Sequence, residues 1–212
     1  MLTIHHLRKS QSERSVWLCE ELEVPYELMC YDRDPVTLLA PPDYKKLHPM
    51  GAAPVITEGE LTLAESGAVT EYIIEKHGQG RLTLGATHPD FAQYLYWFHF
   101  ANGTLQPVMG RNMFLRRLNL PPDNATLVAT LARLHLALDM VDRRLREVDF
   151  LAGPFSAADI MAFFSLTTMR YFFPVDLAPY GHIRAYLGRI GEREAYRRAM
   201  RKGDPDMALL LA

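Results

Sequence analysis

Residues 2–31 read LTIHHLRKSQSERSVWLCEELEVPYELMCY, and three local patterns follow one another in this stretch. Residues 2–6 form a short β-type run, which predicts a β-strand. Ser10 and Glu13 have the spacing of a capping box, which predicts that a helix begins there. The helical pattern ends before a second β-type run at 26–31. Strand, helix and strand in such close succession predict an α/β unit.

The chain continues with a second set of strand and helix patterns. A weaker helical pattern spans 34–46 and is interrupted near Pro41 and Pro42. Two β-type runs at 54–57 and 61–63 predict a hairpin. Ser66 is expected to cap a helix that reaches about His77. The predicted order of elements in this part of the chain is therefore βαβαββα.

The second part of the chain is predicted to be entirely helical. Leucine and valine residues recur at intervals of three and four along 127–145, which predicts one amphipathic helix. Ser156 and Asp159 have capping-box spacing, with Asp in place of the usual Glu or Gln. The predicted boundaries are an α/β domain at 1–80, a linker at 81–88 and an all-helical domain at 89–212.

Composition and charge exclude several classes of function. The 212 residues carry a formal net charge of -2 and no run of Lys and Arg, so nucleic acid is not an expected partner. No apolar stretch approaches the ~18 residues of a membrane span, and no signal peptide is expected. Arginines near the chain end alternate with acidic residues, Asp204 among them, and this pattern predicts a solvated helix face.

The cysteines and histidines point to a reducing compartment and to no metal. Cys19 and Cys30 are too few for a disulfide framework, so a cytoplasmic location is expected. The eight histidines are scattered and show no metal-ligand spacing.

Four stretches together resemble the glutathione transferase family: 10–26, 48–55, 63–73 and 155–160. Their order and spacing agree with the family from end to end. The resemblance implies an α+β thioredoxin-like N-terminal domain (βαβαββα) followed by an all-α C-terminal helical domain. The general pattern is similar to serine-type, broad-specificity bacterial and fungal members.

The resemblance also implies a glutathione site. Ser10 is the candidate that donates a hydrogen bond to the glutathione sulfur, and Ser12 is the alternative in the same turn. Such a donor favours thiolate over thiol and so raises nucleophilicity. A cis peptide between Ala53 and Pro54 would let the Ala53 backbone pair with the cysteinyl unit.

Glu65 and Ser66 are the candidates for the γ-glutamyl end of glutathione. Both lie at the predicted start of a helix, where backbone N–H groups and the helix dipole favour an anion. The alternative interpretation is that Ser66 is a helix cap and Glu65 an ordinary charge at the helix start.

Two positions depart from the family pattern. Ala52 stands where a polar or basic residue often holds the glycyl carboxylate, and Lys45, Lys46 or His48 are possible substitutes. Asn102 stands where many relatives carry an acid. No tyrosine lies in the turn at 8–12, and Cys19 lies on an apolar helix stripe, so the tyrosine-type and cysteine-type subclasses fit poorly.

The helical domain is expected to form the site for a small hydrophobic electrophile. Its candidate wall consists of Phe98, Phe100, Met109, Met113 and Phe172. Each of these residues is also compatible with ordinary helix core.

The predicted function is glutathione transfer, with glutathione as cosubstrate and no metal. The glutathione thiolate would attack a hydrophobic electrophile or reduce a hydroperoxide, as in detoxification. One alternative is a glutathione-dependent disulfide or peroxide reductase. Another, of a different class, is a non-catalytic interaction or regulatory module on the same fold. The resemblance also implies a homodimer.

Overall fold

The computed structural model describes all residues, 1–212, and the chain divides into two compact units. The first unit contains Met1–Thr83 and Gly191–Leu209, and the second contains Leu84–Ile190 and Leu210–Ala212. The units therefore group residues 191–209 with the α/β part of the chain, whereas the sequence prediction assigned them to the helical domain. The boundaries 1–80, 81–88 and 89–212 remain a prediction about domains.

A four-stranded mixed sheet forms the centre of the first unit. Its strands are β1 (Thr3–Leu7), β2 (Glu27–Tyr31), β3 (Val55–Glu58) and β4 (Leu61–Ala64). They are arranged in the order β2-β1-β3-β4. β1 pairs parallel with β2 and antiparallel with β3, so Ile4 lies opposite Leu28 on one side and Ile56 on the other. The antiparallel β3–β4 pair is the predicted hairpin.

Helices cover this sheet in the predicted order βαβαββα, which confirms the thioredoxin-like fold class. The helices of the first unit are α1 (Glu13–Leu22), α2 (Pro42–Lys45), α3 (Ser66–Lys76) and α9 (Glu194–Gly203). The apolar stripe of α1 is buried as expected. The helix predicted at 34–46 is limited to α2, because Pro41 is extended and Pro42 occupies the first turn.

The last helix, α9, packs against α1. The rings of Trp17 and Tyr196 meet edge to face with centroids 5.1 Å apart. Glu20 pairs with Arg198 at 2.9 Å, and Glu21 pairs with Arg193 at 2.7 Å. The predicted solvated helix face is therefore wrong for this side of α9, because acids on α1 bind its arginines.

The second unit is helical, as predicted. Its helices are α4 (Phe91–Phe100), α5 (Gln106–Arg116), α6 (Ala125–Glu147), α7 (Ala157–Leu166) and α8 (Gly181–Gly191). A π-helical turn at Ala101–Leu105 joins α4 to α5. α6 confirms the helix predicted at 127–145, and the capping box at Ser156 and Asp159 is present at the start of α7.

The structure offers neither a membrane-spanning helix nor a cluster of metal-ligating side chains. None of its helices is long and apolar enough to cross a membrane. No group of three or more His, Cys, Asp or Glu side chains is placed to hold a metal ion.

Candidate active site

The two candidate serines lie side by side between β1 and α1. Their Oγ atoms are 2.8 Å apart, and the Ser12 N–H donates to Ser10 Oγ at 3.2 Å. Ser12 is 0% exposed and Ser10 is 4% exposed. The Leu7 N–H also donates to Ser12 Oγ, at 3.1 Å. Ser12 is thus enclosed by its own partners, and Ser10 stands at the end of the pair.

The predicted capping box at Ser10 and Glu13 is wrong. The helix begins at Glu13 after Ser12, and the Ser12 side chain makes no capping bond. Ser10 Oγ accepts from the N–H of Ser12 and not from that of Glu13, which bonds to the Ser10 carbonyl at 3.1 Å. The Ser12 hydroxyl bonds to Leu7 and His6 on β1, and the Ser10 hydroxyl bonds to Ser12, so neither side chain caps the N–H groups at the start of α1.

A histidine and an aspartate that the sequence analysis did not select lie behind the serines. His6 Nδ1 is 2.9 Å from Ser12 Oγ, and His6 Nε2 is 3.0 Å from Asp204 Oδ2. The side chains of His6 and Asp204 are 0% and 1% exposed. The Lys9 N–H donates to the other carboxylate oxygen of Asp204 at 2.9 Å.

Asp204 was expected on a solvated helix face, and this expectation is wrong because the residue is buried just after α9. Its partner His6 lies 198 positions away in the chain. No periodicity or motif joins residues so far apart, so only the packing of α9 on the first unit reveals the pair.

Gln11, between the two serines, connects the other predicted pieces of the site. Gln11 Nε2 donates to the Ala53 carbonyl at 2.7 Å. Arg14 Nη1 donates to Gln11 Oε1 at 3.0 Å and to Ser66 Oγ at 3.2 Å. The loop before β3, the start of α1 and the start of α3 therefore meet at Gln11 and Arg14. Both residues lie within the stretch 10–26 that resembles the family, but neither has a role in the predicted site.

The Ala53–Pro54 peptide bond is cis, as predicted. Pro54 leads directly into β3, which begins at Val55. The Ala53 carbonyl already accepts from Gln11, and a carbonyl oxygen has a second lone pair for another donor.

Arg14 places a positive charge inside this region. Burial lowers the pKa of its guanidinium to about 9, and the negative charge of Glu13 opposes that effect. At neutral pH the guanidinium remains cationic. A buried cation that donates to Ser66 makes the start of α3 still more favourable for an anion.

Glu65 and Ser66 define the beginning of α3, one position away from the prediction. The N-cap is Glu65, and Ser66 is the first helical residue, so Ser66 does not cap the helix. Glu65 adopts φ 74° and ψ 118°, a region that non-glycine residues rarely occupy. Its side chain is exposed, whereas Ser66 is buried. Such strained residues cluster at binding sites, and no sequence pattern at Glu65 predicts the strain.

The candidate wall residues divide into two groups. Phe98, Phe100 and Met109 are buried, and Phe98 packs on Tyr94 with ring centroids 5.7 Å apart. Met113 and Phe172 are half-buried. Only the second group presents side-chain surface without a rearrangement of the core.

The possible substitutes for Ala52 and the departing residue Asn102 lie in varied surroundings. Lys45 and Lys46 are exposed, and Lys46 pairs with Asp43 at 2.9 Å. His48 Nδ1 accepts from the Met50 N–H at 3.3 Å. Asn102 lies in the π-helical turn, a type of distortion that is frequent at functional sites.

The two cysteines are poorly suited to act as nucleophiles. Burial raises the pKa of the Cys19 thiol to about 12, with a further contribution from the negative charge of Glu20. The pKa of Cys30 is also raised, mainly by desolvation, although this residue is exposed. Thiolates are therefore scarce at neutral pH, in agreement with the expectation that the cysteine-type subclasses fit poorly.

Known proteins share both the sequence and the architecture. The family model "Glutathione S-transferase, N-terminal domain" matches residues 2–75. Glutathione S-transferase 3 of Schizosaccharomyces pombe is 30% identical over 225 residues, an alignment that covers 100% of this chain and 92% of that protein. The crystal structure of a glutathione S-transferase from Actinobacillus pleuropneumoniae is 29% identical with a TM-score of 0.88, covering 98% of this chain and 97% of that one.

A more distant structure, a sphingomonad glutathione S-transferase complexed with glutathione, is 21% identical with a TM-score of 0.74 and shares the fold. It covers 94% of this chain and 98% of that chain. On the strength of the full-length relative, the chain belongs to the glutathione S-transferase family of enzymes.

Proposed function

We propose that this enzyme binds glutathione on its first unit and activates the thiol through Ser10 for attack on a hydrophobic electrophile. The observation that carries the proposal is the Gln11 cluster, meaning Gln11 with Ala53, Arg14 and Ser66. Its hydrogen bonds of 2.7–3.2 Å join three pieces of chain next to Ser10. A tripeptide with a thiol and two carboxylates needs several such anchoring points close together.

Ser10, and not Ser12, is the residue that we assign to the sulfur. Ser12 Oγ already contacts the Leu7 N–H, His6 and Ser10, so no further partner can reach it. Ser10 has only Ser12 as a partner among the hydrogen bonds of its hydroxyl. A hydroxyl at the end of a hydrogen-bonded pair has capacity for one more contact.

The γ-glutamyl end of glutathione would lie at the start of α3. Its carboxylate would accept from the Ser66 hydroxyl and the first backbone N–H groups, close to the charge of Arg14. The exposed Glu65 carboxylate would accept from the γ-glutamyl ammonium. The strained backbone of Glu65 supports a binding role for this residue.

The cysteinyl unit would pair with the Ala53 backbone beside the cis bond to Pro54. Gln11 holds the Ala53 carbonyl at 2.7 Å, which fixes the orientation of the peptide next to Ser10. Glutathione would therefore be anchored at its γ-glutamyl end and at its central cysteinyl unit, with the sulfur beside Ser10. This geometry requires no metal.

The second substrate would be a small hydrophobic electrophile that contacts the helical unit. We assign its first contacts to Met113 and Phe172, which are half-buried. The other candidate wall residues, Phe98, Phe100 and Met109, are buried in the core of the helical unit. The reaction is conjugation or hydroperoxide reduction, in a detoxifying role. The family resemblance further supports a cytoplasmic location and a homodimer. Sedimentation analysis of the purified protein tests the homodimer.

The test is a calorimetric titration with glutathione, followed by thiolate absorbance against pH in the same sample. We expect saturable binding and thiolate below the free thiol pKa of ~8.5. Ser10→Ala should lower the conjugation rate roughly a hundredfold, the scale for one lost anion-stabilising donor, with glutathione affinity nearly unchanged. Thiolate and rate that survive in Ser10→Ala but vanish in Ser12→Ala would refute the assignment.

Two further outcomes separate the alternatives. Reduction of a model mixed disulfide with little conjugation would favour the reductase, which would have to use the sulfur of glutathione because Cys19 and Cys30 have raised pKa values. An absence of binding at millimolar glutathione would favour the non-catalytic module.

A further inference from the structure

A continuous hydrogen-bonded chain leads from Ser10 into the interior of the first unit. It runs from Ser10 Oγ to Ser12 Oγ (2.8 Å), on to His6 Nδ1 (2.9 Å), and from His6 Nε2 to Asp204 Oδ2 (3.0 Å). Every member is buried. The direction in which each hydroxyl donates therefore depends on the protein alone.

The direction is determined at the inner end of the chain. A carboxylate only accepts, so Asp204 requires a proton on His6 Nε2, and neutral His6 then has a bare Nδ1. The Lys9 N–H donates to the second oxygen of Asp204 at 2.9 Å, so both carboxylate oxygens act as acceptors. Ser12 then donates to Nδ1 at 2.9 Å in preference to the Leu7 carbonyl at 3.4 Å.

The donation by Ser12 also determines the direction in which the Ser10 hydroxyl donates. The single proton of Ser12 is committed to His6, so the 2.8 Å contact between the serines is a donation from Ser10 to Ser12. With neutral His6, Ser10 thus has no proton for a thiolate. It can accept a hydrogen bond from a thiol, because its other contact is an acceptance from the Ser12 N–H.

We propose that His6, held by Asp204, is the base that receives the proton of the glutathione thiol through Ser10 and Ser12. This inference rests on the proposed function. The S–H bond breaks and its proton moves to Ser10 Oγ. The Ser10 proton moves to Ser12 Oγ, and the Ser12 proton moves to His6 Nδ1. The products are a thiolate and an imidazolium paired with Asp204.

The transfer also reverses every hydrogen bond in the chain. The imidazolium donates to Ser12, Ser12 donates to Ser10, and Ser10 is left with a proton directed at the sulfur. The hydroxyl that accepted from the thiol thus becomes the donor that stabilises the thiolate. When the thiolate has been consumed, the same path returns the proton to water that enters the emptied site.

The surroundings of His6 suit a residue that gains a charge without contact with solvent. A Cβ on Gly203 would lie 2.9 Å from His6 Nε2, so glycine lets the chain after α9 approach the ring. Among the ionisable residues on the elements around the pair are His5 on β1, Glu13, Arg14, Glu20 and Glu21 on α1, Arg8 and Lys9 after β1, Cys30 on β2, Arg33 after β2, and Arg198 and Lys202 on α9. Burial lowers the pKa of Arg33, and the negative charge of Asp204 partly opposes that effect.

The first test counts protons in the wild-type enzyme. Glutathione is titrated calorimetrically in buffers of different ionisation enthalpy at a pH where thiolate absorbance appears, and S-methylglutathione, which has no thiol proton, gives the background. If His6 takes the proton, the net release to buffer is close to zero per thiolate formed. A release of about one proton per thiolate overturns the relay and leaves the proposed function intact.

The second test uses variants of His6 and Asp204, the two residues at the buried end of the hydrogen-bonded chain. His6→Asn retains an acceptor for Ser12 but no proton-accepting nitrogen, and Asp204→Asn retains an acceptor for the Lys9 N–H but moves the histidine proton to Nδ1. For each we expect the thiolate titration to shift upward by about one pH unit or more, and conjugation near neutral pH to fall roughly tenfold or more with the thiolate fraction. Affinity for S-methylglutathione should change little.

His5→Asn is the matched control, because His5 is the neighbouring residue of β1 and bonds to Tyr31 and Thr57, which are not part of the hydrogen-bonded chain from Ser10 to Asp204. Its thiolate titration should equal that of the wild type. An unshifted titration in folded His6→Asn overturns the relay. An absence of thiolate in the wild type instead refutes the proposed function, on which the relay depends.

Discussion

Two segments of this molecule share the pattern of a serine followed three residues later by an acid, and they fold differently. At 156–159 the pattern forms a capping box, in which Asp159 accepts from the Ser156 N–H at 2.9 Å. At 10–13 the same spacing forms no side-chain cap, and α1 begins at Glu13. The first segment stabilises a helix, whereas the second supplies the candidate nucleophile-activating hydroxyls.

The difference arises from the tertiary partners on offer. Near Ser12 a β1 backbone N–H and a buried imidazole lie at 3.1 and 2.9 Å, and the hydroxyl bonds to them instead of to its own helix. Asp159 accepts from the Ser156 N–H of the cap and also from the Leu151 N–H and the Tyr186 hydroxyl, so its tertiary partners add to the cap instead of competing with it. The comparison teaches that a capping pattern predicts a helix start reliably, but the use of the serine depends on distant residues.

Removal of the acid from the true capping box should have the largest effect on stability. Asp159 accepts from the Leu151 N–H, the Ser156 N–H and the Tyr186 hydroxyl at 2.9–3.0 Å, all of them buried. Asp159→Ala leaves these donors without an acceptor, so we expect a loss of about 3 kcal/mol in the free energy of unfolding. Denaturant unfolding of the two proteins measures it.

Asn124→Ala provides the control for that experiment. Asn124 caps α6 through contacts of 3.1 and 3.2 Å to the N–H groups of Thr126 and Leu127, with solvent nearby. Its loss should cost about 1 kcal/mol, because water replaces the missing acceptor. Equal losses in the two variants would contradict the view that the Asp159 contacts are worth more than a cap.

The charge of Asp159 should also make stability depend on pH. Burial raises the pKa of this carboxyl from 3.8 to about 6, against the opposing hydrogen bonds from Leu151, Ser156 and Tyr186. Because the folded state holds the proton more tightly, this contribution is fully present below pH 3.8 and is lost as the pH rises through about 6. The wild type should therefore lose about 2–3 kcal/mol across this window relative to Asp159→Asn. Parallel stability curves for the two proteins would contradict it.

Most of the fold could be predicted from local patterns. The order βαβαββα, the helix at 127–145 and the cis bond before Pro54 all follow from residues close together in the chain. The difference at 34–46 also has a local cause: the regular helix is limited to α2, which begins at Pro42 after the extended Pro41. Helix and strand periodicities are short-range properties, so sequence alone carries them.

The site could be predicted only in part, because its connections are long-range. The predicted site residues Ser10, Ala53 and Ser66 lie in one region of the structure, but the prediction gave no role to Gln11 and Arg14, which join them. Asp204 was misjudged because its neighbours in sequence are charged and solvated, whereas its partner lies on β1. Packing of α9 on α1 brings the pair together, and no pattern within one segment encodes that contact.

Ser156→Ala and Ser10→Ala should have the smallest effects on stability, and their effects on conjugation should distinguish the two serine segments most clearly. Ser156→Ala should lower the free energy of unfolding by about 1 kcal/mol, the usual value for a lost N-cap, and leave glutathione binding and conjugation unchanged. Ser10→Ala should cost no more stability than that, because Ser10 caps no helix, yet lower conjugation roughly a hundredfold. Unfolding curves and kinetics on the same preparations measure both. If activity instead followed stability in the two variants, the serine at α1 would be a structural residue like its counterpart at α7, and the distinction between the segments would fail.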